Sequence, residues 1–310
     1  FQSTANLDLM VGTVTMTDEN GDNFVPETSV INNVVETTVN TEWNSNGAVG
    51  DDLWFDVAYG NGLFVATNSS GNGYPMYSAN GINWGTSGVT GVLNAGWRCI
   101  TFGDGKFVAM ANNNGNDTMY STDGINWTGK GMNVGESWTD IVCGEYNGSP
   151  RFVAVNDGNP ASQRAAYSDD GINWTASQDS GVLNQNLWMV VGYGNGKFIA
   201  LPRSSSQDFM WSSTGVSWSP GALPFACGWK GLTYAQLADG THTYVAVGES
   251  SNGESSIIYS STGSASWFRA NTSAIGTIAN LQSVCYGNGT FIAIGTNTNT
   301  GQPGAVYSYD

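Results

Sequence analysis

Residues able to do acid–base, nucleophilic or metal chemistry are few in this sequence and stand far apart. The one histidine, His242, lies in Asp239-Gly240-Thr241-His242-Thr243, so any Ser/His/Asp device would have to rest on a turn. Asp56 and Asp140 each follow a tryptophan by two residues and so share one place in a recurring pattern, which Cys99, Val190, Gly231 and Ser283 fill elsewhere. From that place they could point toward a central channel. Glycoside hydrolysis uses two carboxylates brought together in space, so a hydrated structural pair and a ligand or ion site both stay open. Asp18-x-Asn20-x-Asp22 matches a calcium loop only in part, because Gly21 falls too early and no bidentate glutamate follows. Cys99, Cys143, Cys227 and Cys285 show no C-x-x-C spacing and are expected as free thiols packed in the core, which implies assembly in a reducing cytoplasm. No metal and no cofactor is expected.

The elements that must position these residues repeat. Units open at Trp54, Trp97, Trp138, Trp188, Trp229 and Leu281, at separations of 43, 41, 50, 41 and 52 residues. A period of about 40 to 50 residues signals a propeller or a solenoid. Each unit runs through the same order, as in Trp97, Phe102-Gly103-Asp104-Gly105, Phe107-Val108-Ala109, Tyr120-Ser121, Asp123-Gly124 and Trp127. Asn-Gly and Asp-Gly between short β-branched or aromatic runs mark tight hairpins, since both central residues of a type I′ turn need positive φ. Two such turns per unit give four strands, which is one blade. Apolar residues alternate rather than recurring at three and four, so almost no helix is expected.

The spacing predicts an all-β, six-bladed β-propeller of four-stranded antiparallel blades over residues 38–310. The sixth unit passes Phe291-Ile292-Ala293 and Tyr307-Ser308 without reaching a fourth strand, while Trp43 precedes Trp54 by 11 residues, as Trp127 precedes Trp138 and Trp218 precedes Trp229. Residues near Thr38 to Asn44 are therefore expected to complete the last blade and to hide its open edge. Residues 1–37 stand outside the repeat. Their Val11 to Met16 and Phe24-Val25 flank Asp18-Glu19-Asn20-Gly21-Asp22, which reads as one hairpin, either an assembly arm or an edge hairpin folded back on its own propeller.

Charge excludes some partners. The net charge is −16 with nine Lys and Arg in all, and no cation occurs before Arg98. Nucleic acid needs a basic track that nine scattered cations do not supply, and anionic membrane surfaces are disfavoured for the same reason. No apolar run approaches the roughly 18 residues of a spanning helix, so no membrane insertion is expected. Because the sequence begins at Phe1, it is read as processed or as part of a longer product.

Tyr120-Ser121-Thr122-Asp123-Gly124-Ile125-Asn126-Trp127 and Tyr167-Ser168-Asp169-Asp170-Gly171-Ile172-Asn173-Trp174 resemble the Asp-box, or BNR, repeat of sialidase-like propellers. They lack the residue that the family places between its Asp and Gly, and Asn80, Thr214 and Thr262 replace the Asp in other units. The whole unit, over residues 43–310, looks like repeats of bacteriophage tail and other virion proteins. In Asp-box folds the motif is a turn device without catalysis of its own. A sialidase-like site would need clustered arginines for bidentate pairing, whereas Arg98, Arg151, Arg164, Arg203 and Arg269 occupy non-equivalent places in their units.

Loops joining the second and third strands vary most in length, and variation on a rigid scaffold is where recognition usually sits. The candidate ligand-binding residues on that face are Asn112, Asn113, Asp117, Asp157, Arg164, Arg203 and Asp208, whose amide and charged groups suit sugar hydroxyls. The resulting expectation is a non-enzymatic virion-associated or extracellular adhesion module that binds a cell-surface glycan or receptor and meets other subunits of a virion or surface assembly through residues 1–37. The alternatives are an Asp-box glycosidase and a protein–protein scaffold propeller.

Overall fold

The computed structural model describes residues 16–17, 23–24, 53–69, 74–90, 96–112, 117–132, 134, 137–158, 161–178, 181–203, 206–249, 255–273, 278–297, 301 and 303–309. Near the front, β1 (Met16–Thr17) and β2 (Asn23–Phe24) pair antiparallel, and residues 18–22 between them lie outside the described residues. Residues 38–44 lie outside the described residues.

A four-stranded antiparallel sheet follows, made of β3 (Trp54–Gly60), β4 (Leu63–Asn68), β5 (Met76–Ser78) and β6 (Gly85–Thr86). In the second sheet, β7 (Gly88–Thr90) runs parallel to the outer edge of β8 (Trp97–Gly103), β9 (Lys106–Ala111), β10 (Asp117–Ser121) and β11 (Asn126–Gly131). The third holds β12 (Trp138–Tyr146), β13 (Ser149–Asn156), β14 (Ala165–Ser168) and β15 (Thr175–Ala176). One 3-10 turn, Ala161–Gln163, is the helical structure among the described residues.

The expectation of separate four-stranded units fails at the next step. Strands β16 (Trp188–Gly194), β17 (Lys197–Pro202), β18 (Ser206–Ser212), β19 (Ser219–Gln236), β20 (His242–Glu249), β21 (Ser255–Ser260) and β22 (Phe268–Arg269) make one seven-stranded sheet. The cause is β19, whose start pairs with β18 through Trp211↔Ser219 and whose end pairs with β20 through Gln236↔His242, with no break between. Last come β23 (Ile278–Gly287), β24 (Thr290–Asn297) and β25 (Pro303–Ser308), three strands with β25 at the edge.

The turn chemistry is what the sequence predicts. Asn61-Gly62, Asp104-Gly105, Asn147-Gly148, Asn195-Gly196 and Asn288-Gly289 all carry positive φ, joining first to second strands by type I′-like turns. The second turn is held by side chains. Ser121 Oγ donates to Asp123 Oδ1 at 2.9 Å and accepts from Gly124 N at 2.8 Å, while Asp123 Oδ1 accepts from Ile125 N at 2.9 Å and Asn126 N at 2.7 Å. Asp170 repeats the set with Ser168, Ile172 and Asn173. In the units without an acid, Asn80 Oδ1 and Thr214 Oγ1 accept in its place.

Inner strands β3, β8, β12, β16, β19 and β23 pack side by side in that order, and no comparable packing joins β23 to β3 among the described residues. The core lies in the joints between successive units. Val65 of the first sheet packs with Trp97, Phe107 and Trp127 of the second, and Val108 of the second with Trp138 and Phe152 of the third. Val153 packs with Trp188, Phe198 and Trp218, Ile199 with Trp229, Tyr244 and Trp267, and Val245 with Leu281 and Phe291. Opening tryptophans 97, 138, 188 and 229 are wholly buried. Each removes roughly 150–250 Å² from water, worth at most about 4–6 kcal/mol.

Two faces are left bare. Val57 and Tyr59 on β3 are exposed, as are Ile292 and Ile294 on β24 and Tyr307 on β25. All four cysteines are free, but the expectation that all pack in the core is corrected: Cys99 and Cys227 are buried, Cys143 is part-buried, and Cys285 is exposed on the bare side of β23.

Candidate functional site

Each inner strand begins with an irregularity that re-aims one side chain. Register shifts fall between Trp54 and Asp56, Trp97 and Cys99, Trp138 and Asp140, Trp188 and Val190, and Trp229 and Gly231. The residue inside each shift is unpaired, and such bulges commonly turn a side chain out of the ladder. Those residues are Phe55, Arg98, Thr139, Met189 and Lys230.

Three of them, Phe55, Arg98 and Met189, come together. The Arg98 guanidinium, from the second sheet, reaches Met189 Sδ in β16 at 3.7 Å and stands 5.5 Å from the centre of the Phe55 ring on β3. Thr139 turns inward instead, donating to the carbonyls of Val155 and Trp188 at 3.0 and 2.9 Å. Arg98 is part-buried and pairs with no carboxylate at salt-bridge distance among the described residues.

Asp56 and Asp140 stand beside this mouth as fasteners between inner strands. Asp56 accepts from its own neighbour Val57 N and, across the joint, from Ile100 N, both at 2.8 Å. Asp140 does the same with Ile141 N and Val191 N, again at 2.8 Å. Removal from bulk water pushes Asp56 up to about 6, with the two N–H donors opposing. The same cause, reinforced by the Asp56 charge, pushes Asp140 up to about 8. Both shifts oppose ionisation, which limits the negative charge facing Arg98.

Farther along β12, β16 and β19 lies a cavity of about 230 Å³ lined by Val142, Val191, Tyr193, Leu232, Tyr234 and Tyr244. Its tyrosine hydroxyls are engaged. Tyr193 donates to Glu145 O at 3.0 Å, Tyr244 to Gly194 O at 2.5 Å, and Tyr234 shares a 2.6 Å bond with His242 Nδ1. The volume falls below the ~300–1,000 Å³ of small-molecule sites. His242 belongs to this tyrosine pair.

Of the residues expected on the loop face, four come together. Arg203 pairs with Asp157, and Arg164 donates to the carbonyls of Gly158 at 3.1 Å, Asn184 at 3.3 Å and Asn186 at 3.0 Å. Burial lowers the Arg164 pKa, with the Asp157 charge opposing. Asp208 accepts from Ser206 Oγ at 3.0 Å and Asn186 Nδ2 at 3.5 Å. Asn112 lies apart and donates to Trp138 O at 3.1 Å, Asp117 begins β10, and Asn113 lies outside the described residues. The bulge position was missed. Its signal is a slot directly after the opener that changes from Phe to Arg, Thr, Met, Lys and Gln while its neighbours repeat.

Repeated antiparallel sheets packed side by side through their inner strands define a β-propeller. No protein-family pattern and no curated protein matches the chain. Solved structures do match in fold. One described as YCF48 bound to D1 peptide is 13% identical with a TM-score of 0.57, over 83% of this chain and 80% of the other. YCF48 from Cyanidioschyzon merolae is 11% identical with a TM-score of 0.55, over 83% and 82%. The computationally designed Ika8 protein is 9% identical with a TM-score of 0.53, over 82% and 73%.

Proposed function

We propose that this propeller is a non-enzymatic binding module that grips an extended segment of a partner protein at the mouth of its central channel. The carrying observation is Arg98, which reaches Met189 Sδ and the Phe55 ring with no carboxylate at salt-bridge distance among the described residues. A guanidinium flanked by apolar side chains suits one carboxylate with an apolar neighbour. The chain's net charge of −16 opposes a strongly acidic partner, so a single carboxylate is the fitting feature. That one fold neighbour is described with a bound peptide supports a protein partner.

The catalytic alternative has less support, because Asp56 and Asp140 each already accept two backbone N–H groups. Glycan recognition, with attachment to a virion or surface assembly through residues 1–37, loses ground for a related reason. Asp157, Arg164, Arg203 and Asp208 bond to one another's loops rather than standing free for sugar hydroxyls. The same reading divides the seven-stranded sheet into two blades at β19, which makes six, and closes them into a ring with a segment from the front of the chain. Burial of the bare faces around Tyr59 and Ile292 would accompany that closure.

Selection of a random peptide library on the full chain, run beside a glycan array, tests the function. Enriched peptides sharing one carboxylate position, and losing at least tenfold in affinity to Arg98→Ala, are the expected result. Glycan binding without peptide enrichment, or peptides indifferent to Arg98→Ala, would overturn it.

A further inference from the structure

The two acids beside Arg98 hold the strands that place it. Arg98 lies on β8, and two residues farther along that strand the N–H of Ile100 donates to Asp56 Oδ2 at 2.8 Å. Met189, whose sulfur Arg98 reaches, lies on β16, and two residues farther along the N–H of Val191 donates to Asp140 Oδ2 at 2.8 Å. The same fastener therefore stands behind both partners of the Arg98–Met189 contact. Each acid directly follows the bulged residue of its own strand, Phe55 or Thr139. Cys99 is buried in the same slot of β8, next to Arg98. Burial pushes its thiol up, Asp140 and Asp56 add to the rise and Arg98 opposes it, so the four groups share one field.

Other charged or titratable groups on the strands packed around this cluster are engaged or lie toward the opposite end. Strand β4 carries none. On β9 Lys106 pairs with Asp104, and on β13 Arg151 pairs with Asp169. Cys143 of β12 abuts Gly103, at the far end of β8, while Tyr193 of β16 donates to the Glu145 carbonyl. Tyr59 precedes the Asn61-Gly62 turn on β3, and Lys197 opens β17 after the Asn195-Gly196 turn. Lys230 fills the bulge slot of β19 and adds positive charge on the side of the mouth. His242 and its partner Tyr234 sit where Gln236 pairs with His242, whereas the mouth end of β19 pairs Trp229 with Gly248.

We infer that Asp56 and Asp140 are positioning residues for Arg98 and make its grip proton-linked, so that a partner's carboxylate is held in mild acid and released as the two acids ionise. This rests on the reading of the mouth as a carboxylate site and adds its regulation. An ionised Asp140 sets a negative charge in the field of Arg98 and so competes with the incoming carboxylate. The window follows from the acids themselves. Burial holds Asp56 at about 6, and burial with the Asp56 charge holds Asp140 at about 8. Coupling is reciprocal, so a bound carboxylate raises the proton occupancy of the pair and binding takes up protons. Affinity should fall about three- to tenfold from pH 6 to pH 9, the change expected if the partner raises one acid by about half to one pH unit.

The full chain without a partner gives the first test. With 13C-methyl methionine, the Met189 signal, assigned by its loss in Met189→Leu, should move between pH 5 and 9, and Asp140→Asn should diminish that movement. A signal that stays still, or that moves equally in the variant, would overturn the inference. The second test uses a peptide enriched on the full chain and calorimetry at pH 7 in two buffers of different ionisation heat. Proton uptake in the wild type, reduced in Asp140→Asn, is expected, and proton release or unchanged uptake would count against it. Should Asp140→Asn fail to fold, Asp56→Asn carries the same comparisons. A peptide that depends on Arg98 yet binds equally at pH 6 and pH 9 would sink the proton linkage and leave the binding reading standing. A Met189 response of the expected kind in a chain that enriches no peptide would do the reverse, supporting the positioning of Arg98 while overturning the partner.

Discussion

The ring of Tyr234 lies directly over Gly194 of the preceding unit, so that a Cβ on the glycine would stand 2.1 Å from the tyrosine Cγ. The contact recurs around the axis. Gly60 faces Phe102, Gly103 faces Cys143 and Gly144 faces Tyr193, each with a hypothetical Cβ at 2.1 to 2.4 Å. Gly287 has nothing within 4 Å, and Tyr59 on β3 is exposed.

Gly194→Ala should destabilise the protein by about 1–3 kcal/mol, because an added methyl in a filled joint forces ring and backbone apart. Gly287→Ala separates two states of the ring. It costs little if that face stays open and as much as Gly194→Ala if Tyr59 seats there, a difference that denaturant unfolding would resolve.

Stability should fall as pH rises from about 4 to 8. Asp56 and Asp140 titrate higher in the fold than the ordinary 3.8, so the native state holds their protons more tightly and loses that advantage through about 6 and then about 8. Asp140→Asn should flatten the upper half of the slope in thermal melts. Asp123 and Asp170 act oppositely. The backbone N–H of Asn126 leads in holding Asp123 low, and at Asp170 the N–H donors outweigh burial and hold it near 2, so their contribution is complete above 3.8 and lost in stronger acid. A Tm maximum in mild acid is the combined expectation, and a curve rising monotonically to pH 8 would contradict it.

Ser121→Ala should cost about 1–3 kcal/mol by leaving the buried Gly124 N–H without an acceptor. Replacing the neighbouring exposed Thr122 by Ala should be nearly silent. Equal effects would mean that the turn is held by its glycine conformation rather than by the serine.

Much of this architecture was legible because the turns are encoded locally. Asn61-Gly62 or Ser121-x-Asp123-Gly124 states its conformation in adjacent residues, and the opening tryptophans announce their burial by recurring. The merged seven-stranded sheet was not legible, since nothing in residues 219–236 distinguishes a crossover from a continuous strand until Ser206 is seen pairing with Cys227. The channel mouth was missed because it depends on a bulge that depletes one position of its ladder partner. Arg98 and Met189 lie 91 residues apart and share only that offset. Asp157, Arg164, Arg203 and Asp208 lie near one another, but their mutual bonding is a property of loop conformation that composition does not carry.

Strand β19, eighteen residues without interruption, belongs to two neighbouring units at once. Its outer half cannot be peeled from β18 without loading its inner half against β20, so the two units should yield to force or to protease as a single block. At the other joints the backbone pairing among the described residues is short, three register pairs from β7 to β11 and a lone Gln178↔Ser217 bridge, so these joints should give earlier. A chain cut and recircularised within residues 223–227 would lose this weld, which makes that stretch the poorest place in the molecule to put new termini.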